Sequence, residues 1–561
     1  MTEAEHPASA GGEAVRSATS PGSGTPSPAA TAAGDLVRSS AVVGVGTALS
    51  RVTGLVRVGA LTYALGATAL SDAYNLANTT PLIVYELLLG GVLSATLVPL
   101  FVEHRERGDD EATSAVVTVA TAALVVLTAI AVAASPLLVH VYTVRLDERA
   151  ADAQAAVMLP LLRLFLLQIL FFGVTALATA LLNSRRRFGP PAFAPVLNNL
   201  VVSAALLAVP TLAGHRPALG DVRGDAGLLA VLGLGATGGV AAMAVVNVWA
   251  VRRAGVQLRW RPQLRHPAVR AVAGLSGWTL GYVAANQACL FLVLALANER
   301  PGDVSAYQYA FVFFQLPHGL FAVSIMTTVA PDLAAFAARA DWDGMRRRFS
   351  LGLRLLALVV LPAAAGYALL ARPIVSALLE RGALSGASAA RTAEVLALFS
   401  LGLLGFSAYL YVLRGFYALK DTRTPFLLNV LENGVNMVLA VALVHRFQVQ
   451  GLAVAYAGAY TIAAVVAWAV LRRRLGGLDG RRTATSLARI GAATGVMAAA
   501  VWVVARSVGG DTGGPAVVRM AAGVATGAAV YGAGLFVLRV DEVRSVADLV
   551  ASRTRRRRGL P

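Results

Sequence analysis

From Leu36 to about residue 539 the chain is a succession of apolar segments, each long enough to cross a bilayer core, which takes roughly 20 residues of helix. About fourteen can be drawn: 36–63, 74–101, 114–142, 155–183, 190–213, 226–250, 268–297, 304–336, 349–371, 392–417, 424–445, 450–471, 484–507 and 515–539. They are continuously apolar and do not alternate, which disfavours a β-barrel and predicts an all-α polytopic membrane protein. Only 14% of the 561 residues are charged, against about 25% in soluble domains, so the chain does not divide into several soluble units. Residues 1–35 are Ala, Gly, Ser, Thr and Pro with few apolar side chains. They read as a disordered tail, without the basic-then-apolar layout of a signal peptide. Residues 540–561 form a basic tail.

A net charge of +18 raises nucleic acid as a partner, but the arginines sit in short clusters between apolar segments and form no basic face. Nucleic-acid binding is therefore not expected. With the N-terminus inside, one set of connections holds Arg105/Arg107, Arg185–Arg187, Arg252–Arg270, Arg339–Arg348, Lys420/Arg423, Arg472–Arg482 and Arg553–Arg558. That side outweighs the other by roughly three to one in basic residues, so both termini are expected in the cytoplasm. An even number of spans agrees. Cys289, the single cysteine, excludes intramolecular disulfides and multi-cysteine metal sites.

The chain repeats itself. LSATLVPLF (93–101) resembles SIMTTVAPDL (324–333), and ALLNSRRRFGPPAF (180–193) resembles FYALKDTRTPFLL (416–428). Pro99 and Pro331 are 232 residues apart, and Pro191 and Pro425 are 234 apart, with six spans between copies. Two parallel six-helix lobes, 36–250 and 268–472, are therefore expected around a central cavity, with two further helices over 484–539.

Charged side chains inside spans are costly, by about 2.5–3.5 kcal/mol on insertion scales, so they mark cavities or partners. The first span carries Arg51 and Arg57, about 120° apart on an ideal helix, so one cavity reaches both only if it wraps the helix. Guanidinium forks suit an anion such as phosphate. Gly54 between them permits a bend. Asp72 opens the second span, where an N-cap role competes with a functional one. Glu86 lies deeper, placed to pair with a cavity arginine or to carry a proton. Gln315, Pro317 and His318 lie together in span eight, where proline predicts a kink and His318 reads as an interhelical hydrogen bonder before a proton-sensitive group. Asn429, Glu432, Asn433 and Asn436 share one helix face at i, i+3, i+4 and i+7. Such a face holds either Na⁺ or a proton as coupling ion, or interhelical hydrogen bonds. There is no nucleophile–base pair, metal-ligand cluster or phosphate-binding glycine loop, so the sequence offers no enzyme chemistry, and neither a catalytic group nor a cofactor is expected.

SRVTGLVR (50–57), SDAY (71–74), GGVLSATLVP (90–99), LNSRRRFGPPAFAPVLNNLV (182–201), QLPHGLFAVSI (315–325), LLERGA (378–383) and RGFYALKDTRTP (414–425) together resemble the MurJ (MviN) family of lipid II flippases. That family lies in the multidrug/oligosaccharidyl-lipid/polysaccharide exporter superfamily. The resemblance implies two six-helix lobes plus two C-terminal helices in the bacterial cytoplasmic membrane. It also implies movement of undecaprenyl-pyrophosphate-linked peptidoglycan precursor by alternating access. The implied partners are this lipid-linked anion, membrane lipids and cell-wall synthesis proteins. Arg51, Arg57 and Asp72 match family positions; with Glu86 and Gln315 they form the expected substrate-binding set. The chain departs from the family at Tyr85 and Glu86, where a pair of arginines is common, and at Val312 and Gln315, where an arginine and a glutamate are frequent. Export of another polyprenyl-linked glycan or an amphipathic small molecule, and a non-transporting scaffold for wall assembly, are the alternatives.

Overall fold

The computed structural model describes residues 28–87, 91–269, 277–540 and 542. Among them every regular element is helical, and every expected apolar segment carries helix. The helices are α1 Pro28–Leu65, α2 Ala69–Tyr85, α3 Gly91–Arg107, α4 Asp110–Thr143, α5 Glu148–Leu166, α6 Gln168–Ser184, α7 Gly189–Ala213, the short α8 Leu219–Gly224 and α9 Ala226–Arg253. The second half supplies α10 Gly277–Ala297, α11 Asp303–Pro317, α12 Val323–Ala338, α13 Trp342–Leu379, α14 Gly386–Leu401, α15 Leu403–Ala418 and α16 Arg423–Arg474. Two more follow, α17 Gly480–Ser507 and α18 Gly513–Val537. Capping fixes several starts: Asp109, Asp147 and Asp341 each accept a hydrogen bond from an amide of the first turn that follows.

By length and apolarity the described residues hold eleven spanning helices, or twelve if the bent pair α14–α15 (45°) is one span, and not the fourteen expected. Three features separate the counts. The second segment is described in two parts, α2 and α3, each 17 residues and too short alone, with residues 88–90 between them outside the described residues. Segment ten bends between Leu401 and Leu403. Segments eleven and twelve run on as the 52-residue α16, broken only at Gln448 (φ 51, ψ −138). Helix α1 starts at Pro28, inside the stretch read as tail. Residues 1–27, and the basic tail apart from Val540 and Glu542, lie outside the described residues.

The repeat is structural as well as sequential. Gly108 (φ 67) and Ala340 (φ 55), 232 residues apart, both end a helix in the left-handed region. Each is followed by an aspartate whose amide donates back five residues, Asp109 to His104 (2.8 Å) and Asp341 to Phe336 (3.0 Å). Arg186 and Lys420, both at φ 57 and 234 apart, repeat the device, with Arg187 donating to Leu182 and Asp421 to Phe416. Packing follows the same plan: α1 on α7, α2 on α5 and α6 on α9 are matched by α10 on α16, α11 on α14 and α15 on α16. Two lobes of like construction result, with α17 and α18 packed on each other and on α13.

Among the described residues, the hydrogen bonds and ion pairs joining the lobes all lie in the part of the bundle away from the arginine-rich connections. Ala383 N donates to Tyr63 O (2.9 Å), Tyr309 Oη to Gly66 O (2.8 Å) and Asn298 Nδ2 to Tyr142 O (2.9 Å), while Arg145 pairs with Glu299 (2.6 Å). The lobes are thus sealed at one end.

Candidate functional site

Between the lobes lies a cavity in two parts, with Thr79, Gln308 and Val312 in the wall of both. The part toward the first lobe, about 190 Å³, is lined by Arg57, Asn75, Asn78, Gln168 and Asn198. The part toward the second, about 450 Å³, is lined by Tyr282, Asn286, Gln315, Glu432, Asn433 and Asn436. A guanidinium thus stands on one wall and a carboxylate on the other.

Helix α1 runs unbroken through Gly54, so the bend that glycine permits is not used. Arg57 is half-buried on the first-lobe wall beside Tyr74. Arg51, about 9 Å further along the axis, is exposed and packs on the other lobe. Its guanidinium lies 3.6 Å from where a Cβ on Gly319 would sit. Gly319 belongs to a π-helical turn, His318–Ala322, that follows Pro317, where the kink was expected. His318 bonds Ser407 across to α15 (3.0 Å), the interhelical role read from sequence. Arg57 therefore lines the cavity, and Arg51, on the same helix, lines neither part of it. Neither arginine has a hydrogen bond or a carboxylate in ion-pair range among the described residues.

Glu86 closes α2 half-exposed and makes no ion pair with either arginine among the described residues, so the expected pairing is not formed. The adjacent Tyr85 is buried against Phe172, with ring centroids 5.9 Å apart.

Asp72 caps a helix, but not its own. Helix α2 is capped by Thr68, whose hydroxyl accepts from Ser71 N. Asp72 reaches across to α11, whose N-cap is Gly302 (φ 91). Its Oδ2 accepts from Gly302 N (2.6 Å), and its Oδ1 from Ser305 N (2.8 Å) and Ser305 Oγ (2.6 Å). Ser71 and Asn75 also bond Ser305, completing a buried polar knot between the lobes. An acidic cap at the positive end of the α11 dipole is a favourable match. Gly302 is required there, since a Cβ would overlap the Ala67 carbonyl.

Asn429, Glu432, Asn433 and Asn436 are all buried on one face of α16. Their nitrogens are engaged: Asn429 and Asn433 both donate to Asn286 Oδ1 (2.9 Å each), and Asn436 donates to Cys289 Sγ (3.3 Å). Four of their five side-chain oxygens are not. Asn429 Oδ1, Asn436 Oδ1 and both carboxylate oxygens of Glu432 are buried without a hydrogen-bond partner. A set of acceptors lacking donors suits a proton or a hard cation. No group of three or more His, Cys, Asp or Glu able to hold a metal occurs among the described residues.

Sequence reasoning missed six amides of the lining: Asn75, Asn78, Gln168, Asn198, Asn286 and Gln308. They carry no charge to flag them. The one signal was spacing, with Asn75, Asn78 and Thr79 at i, i+3 and i+4 on α2.

Two repeated helical lobes, sealed at one end over a cavity with an unpaired guanidinium, define a multi-span transporter of the rocking two-lobe kind. A solved structure described as lipid II flippase MurJ in an inward closed conformation superposes with a TM-score of 0.73 at 19% identity, over 89% of this chain and 99% of that one. An inward-facing multidrug resistance MATE transporter of the MOP superfamily follows at 0.62 and 12% identity, over 77% and 96%. In sequence, the family described as Lipid II flippase MurJ matches residues 61–514. Lipid II flippase MurJ of Burkholderia cenocepacia is 30% identical over 387 residues, 68% of this chain and 72% of that protein. The probable lipid II flippase MurJ of Rhizobium meliloti is 29% identical over 475 residues, 82% and 85%. The chain belongs to the lipid II flippase MurJ family.

Proposed function

We propose that this protein carries lipid II, the molecule named in its relatives, across the bacterial cytoplasmic membrane, with Arg57 as the principal contact for the anionic head. The observation that carries the proposal is the Arg57 guanidinium, half-buried in the interlobe cavity without a counter-ion. A desolvated cation without a partner is costly unless a ligand supplies the anion. Arg51, packed against the π-helical turn of the other lobe, is placed to meet the same head as the lobes move. Gln315, Gln308 and the wall asparagines offer hydrogen bonds to the sugar and peptide portions.

The arginine-rich end is the cytoplasmic one by the bias of its connections, which puts both termini there. The sealed end then faces outward and the cavity loads from inside. Rocking the lobes breaks the Asp72 knot and releases the cargo on the outer side. The cluster of Glu432 with Asn429, Asn433 and Asn436 supplies the coupling site for Na⁺ or a proton, whose charge its orphaned oxygens would satisfy. Membrane lipids and cell-wall synthesis proteins complete the partners.

The test is binding of lipid II to purified protein by native mass spectrometry, wild type beside Arg57→Ala and Arg51→Ala. Loss of a charge-assisted contact worth about 1.5–3 kcal/mol should weaken binding roughly 10- to 150-fold in Arg57→Ala, and less in Arg51→Ala. Equal affinity in all three proteins would remove Arg57 from the site.

A further inference from the structure

A second cavity, of about 340 Å³, opens at the arginine-rich end where α17 begins, and shares no lining residue with the interlobe cavity. Helix α17 starts after Asp479, whose backbone is left-handed (φ 51, ψ 45) and whose side chain caps nothing. Its first turns place Arg481, Thr485 and Arg489 at i, i+4 and i+8, with Arg482 and Ser486 beside them at i and i+4. Behind them Arg354 of α13, 4% exposed, is neutralised by Glu542, 1% exposed. The other three guanidiniums are not neutralised. Among the described residues none of Arg481, Arg482 and Arg489 has a carboxylate in ion-pair range, and Arg489 donates only to the Arg539 carbonyl (3.3 Å).

The independent observation is Ser486. It is 7% exposed, it lines this cavity, and its Oγ has no hydrogen-bond partner. Buried hydroxyls almost always find one. Three guanidiniums and an uncapped helix N-terminus therefore face one space, beside the buried Ser486, and they outnumber Asp479, the one carboxylate of the lining without an ion pair among the described residues. The complementary ligand is a group rich in acceptor oxygens and negative charge, which is phosphate.

We propose that this cavity binds the phosphate of an anionic phospholipid headgroup. The cavity opens where α17 begins, at the level of the arginine-rich connections, which favours a lipid headgroup over free phosphate. Basic pockets between helices at the cytoplasmic surface have this chemistry. A bound lipid would bridge α13, α17 and the segment after α18, fixing the last two helices to the second lobe.

The test uses the full-length protein in detergent and follows its thermal unfolding midpoint during titration with phosphatidylglycerol, phosphatidylcholine or inorganic phosphate. Phosphatidylglycerol should raise the midpoint saturably and phosphatidylcholine should not. Arg481→Gln/Arg482→Gln should raise the half-saturating concentration about tenfold or more. Arg186→Gln/Arg187→Gln, which removes two exposed arginines at the same end but outside the cavity, should leave it unchanged. Arg481→Lys/Arg482→Lys should fall between, keeping charge but losing the fork. If the glutamine pair does not fold, Ser486→Ala and Arg489→Gln take its place, each with an expected weakening of about threefold. Unchanged half-saturation in the cavity variants would overturn the site. Saturation by inorganic phosphate with no added response to phosphatidylglycerol would overturn the lipid as its source.

Discussion

Replacing Asp72 by Asn should loosen the sealed end of the transporter without touching the cavity. The carboxylate takes three hydrogen bonds from the start of α11, one oxygen serving Gly302 N and the other serving Ser305 N and Oγ. Asparagine keeps one oxygen and turns an NH₂ toward one of these groups, leaving at least one buried donor unmet. Hydrogen bonds to charged groups contribute about 1.5–3 kcal/mol each, and losing an N-cap about 0.5–2. A net loss of roughly 2–4 kcal/mol is expected, since part of the network re-forms around the amide. At about 1.4 kcal/mol per factor of ten, the ratio of sealed to open forms falls by roughly 30- to 1,000-fold. Spin labels on Glu148→Cys and Ala387→Cys, exposed positions on the two lobes, report this by pulsed EPR. The one native cysteine, Cys289, is buried and should not compete for label. Asp72→Asn should add a longer-distance population, and Ser305→Ala should add less to the double variant than to wild type. Distance distributions identical to wild type, in a variant that reaches the membrane, would refute the claim that this cap holds the lobes together.

Gly302→Ala should act in the same direction by another route, since its φ of 91 and the Ala67 carbonyl leave no room for a Cβ. The backbone conformation alone costs about 1–2 kcal/mol with an L side chain, so the same labels should separate. Glu432→Gln should abolish the dependence of transport on Na⁺ or on pH, whichever wild type shows, in proteoliposomes with imposed gradients. Unaltered dependence would make the asparagine–glutamate face purely structural. In the connection between α7 and α8, His215 Nε2 lies 3.1 Å from Asp221 Oδ2, and this hydrogen bond raises the imidazole above its ordinary 6.5. A raised pKa favours the charged form in the folded protein, so the contact is fully present below pH 6.5 and is lost as pH rises through the raised value. Asp221→Asn should return the His215 titration toward 6.5 by NMR, and an unmoved titration would assign the shift elsewhere.

Much of this architecture was legible because its signals are additive along the chain. Apolar segments announce spans, and the proline offsets of 232 and 234 announce the lobes, since equal helix counts force equal spacing. Arg51 and Arg57 were visible because charge in a membrane helix is conspicuous. Where the side chains point was not. Asp72 sits where an N-cap belongs, and sequence alone could not show that it caps a helix 230 residues away while Thr68 serves its own. Glu86 was expected to meet an arginine on the strength of opposite charge, yet the register of α2 against α1 leaves them apart. The number of spans resisted for a related reason. Hydropathy marks where a chain crosses the membrane but not where a helix ends, so the polar run at 445–450 separates two apolar segments while the helix carries on through it, kinked at Gln448. The amide-rich cavity wall was illegible because single Asn and Gln residues in apolar spans most often bond between helices.

The central claim is that Arg57 grips the head of lipid II in a cavity that opens alternately to the two sides. The most direct measurement is the exposure of lipid II on the outer leaflet of cells depleted of their own flippase and supplied with this protein. It is read beside Arg57→Ala and Arg51→Ala at matched membrane levels. Wild type should restore exposure, Arg57→Ala should not, and Arg51→Ala should fall between. Full restoration by Arg57→Ala, or none by a correctly inserted wild type, would contradict it.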